Sequence, residues 1–231
     1  GDFESIRRAA AQLLGQWPRL DVLVHNAGAT FQQRTLTADG IEATLAVDVV
    51  GPFLLTALLR QRLEACRARV ITLTGIYQRK GQVDPNDLHF ARRPYDWLAA
   101  NNQAQRGRWL FMAELARRAP QLMTASVHPG AVLTGGQARL PRPVRALIHT
   151  LARPAFVRPE VGAIPVLRLA AHPDIPHLTG RYFDRCRVAP DVADPALTQA
   201  FWTACEDMTG EREEKVPWLQ SRRSSAALTA S

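Results

Sequence analysis

Apolar residues at helical spacing open the chain and predict a helix over residues 3–17. The short apolar run that follows, LDVLVHNAG at 20–28, predicts a buried strand that ends in an Asn-Ala-Gly turn. After LTADG at 36–40, a largely apolar stretch predicts a second helix over 41–63, with Thr37 and Asp39 as candidate cap residues. The pattern therefore begins as helix, strand, helix.

The same alternation continues through the middle of the chain. ARVITLTG at 68–75 predicts the next strand, residues 97–118 a long helix, and LMTASVHPG at 122–130 a third strand that ends at Pro-Gly. Strands that alternate with helices are joined by crossovers, which place the strands in parallel. The pattern therefore predicts one α/β domain over residues 1–215, built on a parallel sheet.

The last third of the chain is less regular. Residues 135–158 are rich in Pro and Arg around a short apolar helical piece, which indicates a lid over a cleft, a membrane-touching amphipathic element, or a solvated helix on the body. Beyond it we expect a helix at 159–171, a short strand at 180–184 and a last helix at 195–208. The ending QSRRSSAALTAS at 220–231 is small and polar, and we expect residues 216–231 to form a disordered tail.

Composition narrows the class of protein. The chain has 231 residues, 46% of them hydrophobic, and its net charge of +8 comes almost wholly from scattered arginines without a nucleic-acid-binding motif. We therefore expect no specific nucleic-acid partner. Cys66, Cys186 and Cys205 are far apart and lack metal-ligand spacing, which indicates reduced thiols, no metal site and a cytoplasmic protein. We find no uninterrupted run of about 18 apolar residues, so the sequence predicts no membrane span.

Two strand ends carry motifs of a known family. His25-Asn26-Ala27-Gly28 resembles the Asn-Asn-Ala-Gly turn of the short-chain dehydrogenase/reductase family, and VHPGAVLT at 127–134 resembles its Pro-Gly loop. The layout of 36–59 and 178–189 is similar to the retinol-dehydrogenase-like branch, and the likeness extends to about residue 210. The resemblance implies a Rossmann-like, doubly wound parallel sheet, of which this chain holds the C-terminal portion without the first strands.

The resemblance also implies an activity and a cofactor. In this family, hydride passes between NAD or NADP and a carbonyl or alcohol carbon, here of a lipophilic small molecule, while a tyrosine handles the substrate proton. A lysine one helical turn away lowers the pKa of that tyrosine. The positions that match the cofactor-binding motifs are Asn26, Ala27, Gly28, Thr74, Pro129, Gly130 and Thr134.

The four catalytic positions of the family are all changed. Asn101 matches the tyrosine and Gln105 the lysine, whereas Gly75 matches the serine and Asp48 the asparagine of a water relay. An amide exchanges no proton near neutral pH, and glutamine carries no charge that could lower a neighbouring pKa. The residues four positions after the three tyrosines are Gly81, Ala99 and Cys186, so Tyr-x-x-x-Lys occurs nowhere in the chain.

The N-terminal motif of the family is also missing from this sequence. The chain has no Thr-Gly-x-x-x-Gly-x-Gly loop, whose glycines let main-chain N–H groups approach the cofactor pyrophosphate. By resemblance, residue 1 follows the third strand of the family, so the apolar strand at 22–25 becomes an edge strand. We therefore expect a fragment of a longer protein, a chain that pairs its edge with another, or a marginally stable domain.

Three hypotheses about function follow. The first is a pseudoenzyme or interaction protein, whose helices at 41–63 and 97–118 form a homodimer. The second is a reductase of a lipophilic carbonyl with an atypical site, in which Asp48 or Thr74 supports NAD(P)-dependent reduction. The third is a basic module that binds membrane surfaces through its arginines and residues 135–158.

Overall fold

Five strands form one sheet whose order, β1-β2-β3-β4-β5, follows the order of the chain. The first four strands run parallel, and the two-residue β5 pairs antiparallel with β4. Their bounds are Val22–His25 (β1), Arg69–Leu73 (β2), Met123–His128 (β3), Arg181–Asp184 (β4) and Arg187–Val188 (β5). The predicted parallel α/β sheet is confirmed.

A computed structural model describes residues 2–132, 142, 146, 156–173, 175–190 and 193–212, with only the main chain for residues 76, 77 and 176. Thr134, residues 216–231 and most of the segment 135–158 lie outside these described residues. The helices are Phe3–Gln16 (α1), Ala43–Leu45 (α2), Gly51–Ala65 (α3), Trp97–Arg118 (α4), Pro159–Ala171 (α5) and Pro195–Thr209 (α6). A π-helical turn, Ala46–Val50, makes α2 and α3 one continuous helix, and 3-10 turns of the described residues lie at Ile76–Lys80 and Pro176–Leu178.

The start of α2 differs from the prediction. Glu42, rather than Thr37 or Asp39, caps it, because its carboxylate accepts hydrogen bonds from the main-chain N–H groups of Thr44 and Leu45 at 3.0 and 2.8 Å. Asp39 instead accepts from Phe3 N at 3.1 Å, at the start of α1. The two predicted cap residues were wrong because Asp39 is used by a helix distant in sequence.

One face of the sheet is covered by α3 and α4, and α6 packs across both of these helices. Phe201 and Cys205 are fully buried there, and the Trp202 ring lies 4.8 Å from Phe53 and 5.9 Å from Phe111. Gly107 of α4 allows this approach, since a Cβ at that position would lie 2.6 Å from Phe201 Cζ. The homodimer through α3 and α4 stays a prediction, and it would have to form beside α6 or displace it.

The opposite face of the sheet is covered only in part. Helix α5 packs its Leu169 against the buried cluster of Ile71, Ala125 and Val127, which lie on β2 and β3. Strand β1 continues the same sheet without a described helix over this face, so Val22 and Val24 are 41% and 38% exposed. The sheet is therefore wound on both sides, with an uncovered corner at β1.

The stretch Ala43–Ala65 corrects one sequence prediction. Over its 23 residues it is long and apolar enough to cross a membrane by length and composition, which the search for an uninterrupted apolar run overlooked. In the fold, 72% of its apolar window is buried, as expected for a helix in the core of a domain.

Candidate functional site

The carboxyl ends of β1 and β2 meet the middle of α4. Three polar side chains and one glycine lie close together there. In parallel α/β sheets this edge is where ligands bind. Asp48 comes from the π-helical turn before α3, Gly75 follows β2, and Gln105 and Arg108 lie one turn apart on α4. Three of the four positions that match the family's catalytic residues are thus brought together.

Gln105 connects the end of β2 to the turn before α3. Its side-chain oxygen accepts a hydrogen bond from Gly75 N at 2.8 Å, and its side-chain nitrogen donates to Asp48 Oδ2 at 3.1 Å. The hydroxyl of Thr74 donates to the main-chain oxygen of Gln105 at 2.8 Å. The donor and the acceptor of the Gln105 amide are therefore both engaged within the protein.

Asp48 and Arg108 form a buried ion pair beside this amide. Arg108 Nη2 lies 3.2 Å from Asp48 Oδ1, and the two side chains are 3% and 2% exposed. Asp48 Oδ1 also accepts from Ala29 N at 2.8 Å. Burial raises the pKa of the Asp48 carboxyl, and the Arg108 cation with the Ala29 N–H opposes part of that rise.

Arg108 also ties two strand ends together. Its Nη1 donates to Leu73 O at 2.6 Å, and its Nη2 donates to Ala27 O, in the Asn-Ala-Gly turn. Gly28 packs directly against the pair, since a Cβ there would lie 3.0 Å from Arg108 Nη2 and 3.3 Å from Asp48 Oδ1. The ends of β1 and β2 are thus held together by the guanidinium group.

Asn101 lies apart from this network. Its side-chain oxygen accepts from the Thr30 hydroxyl at 3.1 Å, which links the start of α4 to the loop after β1. It is one turn before Gln105 on the same side of α4, as the resemblance requires of the tyrosine position. Among the described residues, Asn101 makes no hydrogen bond to Asp48 or Gly75.

The residues that match the cofactor motifs lie at different places along the carboxyl edge of the sheet. Asn26 and Ala27 line a groove of about 270 Å³ together with His25, beside β1 and α3. Gly28 and Thr74 belong to the network described above. Pro129 and Gly130 follow β3, where Gly130 adopts a φ of +99° that favours glycine, and Thr134 lies outside the described residues.

Burial lowers the pKa of two histidines at strand ends. Thr56 donates its hydroxyl proton to Pro52 O, so His25 Nε2, 2.8 Å from the same oxygen, is the donor to Thr56. Burial and the nearby Arg108 cation lower the pKa of His25 to about 3. Burial lowers the pKa of His128 as well. Both imidazole rings are therefore weaker bases than an ordinary histidine side chain.

The described groups at this edge are engaged with one another or line an uncharged groove. The groups at the ends of β1 and β2 that face α4 already bond to one another, and the lysine position carries the amide that closes this network. The groove at Asn26 and Ala27 offers main-chain groups and apolar walls, with no cation among its lining residues. Among the described residues, no group of three or more His, Cys, Asp or Glu could hold a metal.

Arg108 is the residue that sequence reasoning missed. It lies three residues after Gln105 and seven after Asn101, so helical spacing places all three on one side of α4. An arginine directly before the apolar run WLFM at 109–112 was the available signal, because a charge at a buried helix position needs a partner.

A parallel sheet wound on both sides, with its polar groups at the carboxyl edge, defines the chain as a Rossmann-like α/β protein. A family model described as enoyl-(acyl carrier protein) reductase matches residues 1–92. The chain is 34% identical over 213 residues to the provisionally named daunorubicin C-13 ketoreductase DnrU of Streptomyces sp. (strain C5), covering 91% of this chain and 72% of that protein. It belongs to the short-chain dehydrogenase/reductase family of oxidoreductases.

Other relatives agree with this assignment. Retinol dehydrogenase 14 of Mus musculus is 31% identical over 216 residues, which cover 90% of this chain and 64% of that enzyme. A crystal structure of an uncharacterized protein from Mycobacterium Paratuberculosis superimposes with a TM-score of 0.69 at 26% identity, covering 91% of this chain and 73% of that one. The chain thus spans about two thirds to three quarters of its relatives' length.

Proposed function

We propose that this chain is a non-catalytic member of the family, a pseudoenzyme that does not carry out tyrosine-dependent hydride transfer. The observation that carries the proposal is the closed contact of Gln105 with Gly75 and Asp48. At the positions where the family places a proton-transfer system, this chain has groups that bond to one another and hold two strand ends against α4. The network serves the stability of the fold.

The chemistry of the four positions supports this proposal. The amides of Asn101 and Gln105 neither give nor take a proton near neutral pH, and glycine at position 75 has no hydroxyl to orient a carbonyl oxygen. Arg108 is a cation, but it is buried and bonded to Asp48 and to two main-chain oxygens. No group in the network has the role that the family tyrosine performs.

The nearby tyrosine does not replace the missing one. The Tyr95 hydroxyl donates to Phe31 O at 2.8 Å and lies 3.2 Å from Glu42 Oε1, a buried carboxylate. Partial burial, as the largest cause, raises the pKa of Tyr95 to about 12, which makes it a poorer proton donor and acceptor at neutral pH. Tyr182 is buried in the sheet beside Trp109.

The alternative is an NAD(P)-dependent reductase of a lipophilic carbonyl, the kind of activity that the names of the ketoreductase and retinol dehydrogenase relatives suggest. It would require Asp48 or Thr74 to act in place of the tyrosine. The Asp48 carboxylate is paired with Arg108, and the Thr74 hydroxyl donates to Gln105 O. Both groups would have to leave these partners before they could meet a substrate.

The test begins with cofactor binding and turnover of the unaltered chain. NADPH and NADH are titrated while energy transfer from the five tryptophans to the reduced nicotinamide is followed. In parallel, oxidation of each cofactor is measured at 340 nm with decanal and 2-decanone as lipophilic carbonyl probes. We expect neither saturable binding nor turnover above the rate without protein. Turnover by the unaltered chain would overturn the proposal.

A restored variant tests the assignment of the four positions. Asp48→Asn, Gly75→Ser, Asn101→Tyr and Gln105→Lys are combined, and the matched control carries Asn101→Phe in place of the tyrosine. A serine fits at position 75, since a Cβ there lies 3.7 Å from the nearest Gln105 atom. If the positions are assigned correctly, any gain in turnover requires the tyrosine hydroxyl. Equal turnover in the two variants, above the rate without protein, would contradict the assignment.

A further inference from the structure

A row of four buried side chains crosses the sheet on the face that α3 and α4 cover. They are register partners on the four parallel strands: His25, Thr72, Ser126 and Tyr182. Trp109 of α4 lies over one end of the row, with its ring 6.1 Å from that of Tyr182. In the middle of the row, Thr72 and Ser126 are 1% and 0% exposed. Two hydroxyl groups therefore lie next to each other in the closed space between the sheet and α4.

The hydroxyls of Thr72 and Ser126 have no hydrogen-bond partner among the described residues. Neighbouring strands lie about 4.8 Å apart, which is longer than the roughly 2.8 Å of a direct hydrogen bond between two hydroxyls. A hydroxyl that is buried without replacing its hydrogen bonds to water costs free energy. The two hydroxyls therefore need a third group, and the distance between their strands suits one that bridges them.

Two neighbouring threonines show which part of α4 lies above this pair of hydroxyls. Thr124, which precedes the pair on β3, donates its hydroxyl proton to the main-chain oxygen of Met112 at 2.8 Å. Thr74, which follows the pair after β2, donates to the main-chain oxygen of Gln105 at 2.8 Å. The pair lies between these two contacts, and therefore beneath the turn of α4 that contains Arg108.

Arg108 brings a further buried donor to the same place. Its Nη1 donates to Leu73 O, on the residue after Thr72, and its Nε has no hydrogen-bond partner among the described residues. Ser126 is smaller than the threonine and the histidine that flank it on this face of β3, which leaves space at this level. Two hydroxyls and one N–H make three polar groups, and a buried water molecule has about three partners.

We propose that one buried water molecule binds between β2, β3 and α4, where it bridges the hydroxyls of Thr72 and Ser126 and accepts a hydrogen bond from Arg108 Nε. Water fits this set of groups, since it can donate to both hydroxyl oxygens while its own oxygen accepts the N–H. It completes the bonding of the guanidinium group that holds the ends of β1 and β2 together. The inference goes beyond the proposed function and does not depend on it.

A high-resolution crystal structure of the full chain tests the site directly. We expect a peak of electron density within about 3.2 Å of Thr72 Oγ1, Ser126 Oγ and Arg108 Nε. The peak should be lost in the double variant Thr72→Val with Ser126→Ala, which has neither hydroxyl. No peak in the unaltered chain would overturn the proposal, and so would a direct hydrogen bond between the two hydroxyls.

The direction of a stability change gives an independent test. Thr72→Val keeps the shape of the side chain and removes one partner of the water, so we expect the midpoint of urea unfolding to fall. If the hydroxyl had no partner at all, valine would suit the interior better and the midpoint would rise. An unchanged or higher midpoint would therefore overturn the proposal. Thr203→Val, at an exposed position of α6, is the matched control and should leave the midpoint unchanged.

The two hydroxyls should also act as one unit. Ser126→Ala added to Thr72→Val is expected to lower the midpoint by less than the sum of the two single shifts, because both changes act on the same water molecule. Strict additivity of the two shifts would contradict a shared water.

Discussion

The side chain of Gln105 accepts a hydrogen bond from the main-chain N–H of Gly75 at 2.8 Å. This contact joins the middle of α4 to the residue that follows β2, and the same amide donates to Asp48. A lysine in the family position could not accept that hydrogen bond, because its ammonium group only donates. Glutamine at this position therefore changes how the strand end is held as well as the chemistry of the site.

Replacement of Gln105 by methionine measures what this contact contributes to stability. Methionine is similar in length but makes neither hydrogen bond, which leaves Gly75 N and Asp48 Oδ2 without this partner. We expect the free energy of unfolding in urea to fall by about 1–3 kcal/mol. Gln61→Met, at an exposed position of α3, serves as the control and should change it by less than about 0.5 kcal/mol. Equal effects in the two variants would contradict the structural role.

The Asp48–Arg108 pair is expected to behave as a coupled unit. Arg108→Met leaves a buried carboxylate without its cation and removes the donor to Leu73 O and Ala27 O, so we expect a loss of about 3–5 kcal/mol in unfolding free energy. Asp48→Asn added to Arg108→Met removes the unpaired charge, and the double variant should be more stable than the sum of the single losses predicts. A double-mutant cycle measured by urea unfolding gives the coupling energy. Strict additivity would show that the two groups do not interact.

His25 should make the protein less stable in acid. In the unfolded chain this residue has the ordinary pKa of 6.5. In the folded chain, burial lowers its pKa to about 3. Between these values the unfolded state holds more protons, so stability falls as pH falls, by up to about 1.4 kcal/mol per pH unit from this one group. The stability gained from the neutral ring is complete above about pH 6.5.

The variant His25→Asn isolates this contribution. Unfolding free energies of both proteins are measured from pH 7.5 to 5, above the range in which most carboxylates titrate. We expect a shallower decline for the variant, with a residual slope from His89 and His128, whose pKa values burial also lowers. Parallel curves for the two proteins would contradict a neutral, buried His25.

Gly107 should tolerate no larger residue while α6 is in place. Its Cβ would lie 2.6 Å from Phe201 Cζ and 3.3 Å from a Val49 methyl, so Gly107→Ala must displace the aromatic ring. We expect a loss of about 1–3 kcal/mol from this overpacking, and partial recovery when Phe201→Leu is added. Gly15→Ala in α1 is the control, because nothing lies within 4 Å of its Cβ, and it should stabilise the chain by up to about 1 kcal/mol. Thermal unfolding compares the four proteins.

The hydrophobic pattern was sufficient to predict the main helices and strands. The first three strands and α4 each have their own run of residues with a clear periodicity. Strand β5 was not predicted, since its two residues carry no periodicity and pair with β4 only because Arg185 turns the chain at a φ of +55°. The cap of α2 was assigned wrongly for a related reason. The sequence offered Thr37 and Asp39, but Asp39 bonds to α1 and the cap is the longer side chain of Glu42, directly before the helix.

The sequence predicted the positions of the site residues but not all of the contacts between them. Helical spacing and the family resemblance placed Asp48, Gly75 and Gln105, which the structure brings together. The pairing of Asp48 with Arg108 could not be read in the same way. A long arginine side chain can reach several strand ends, and its partners depend on how the loops after β1 and β2 pack on α4.

The order of the strands has a consequence for synthesis on the ribosome. Because β1, β2, β3 and β4 lie side by side in the order in which they are translated, each new strand meets a neighbour that has already emerged. Helix α6 is different, since it covers Phe53 and Phe111 but is the last described helix to be made. The nascent chain therefore exposes the aromatic side chains of Phe53 and Phe111 until α6 has emerged and packed on them.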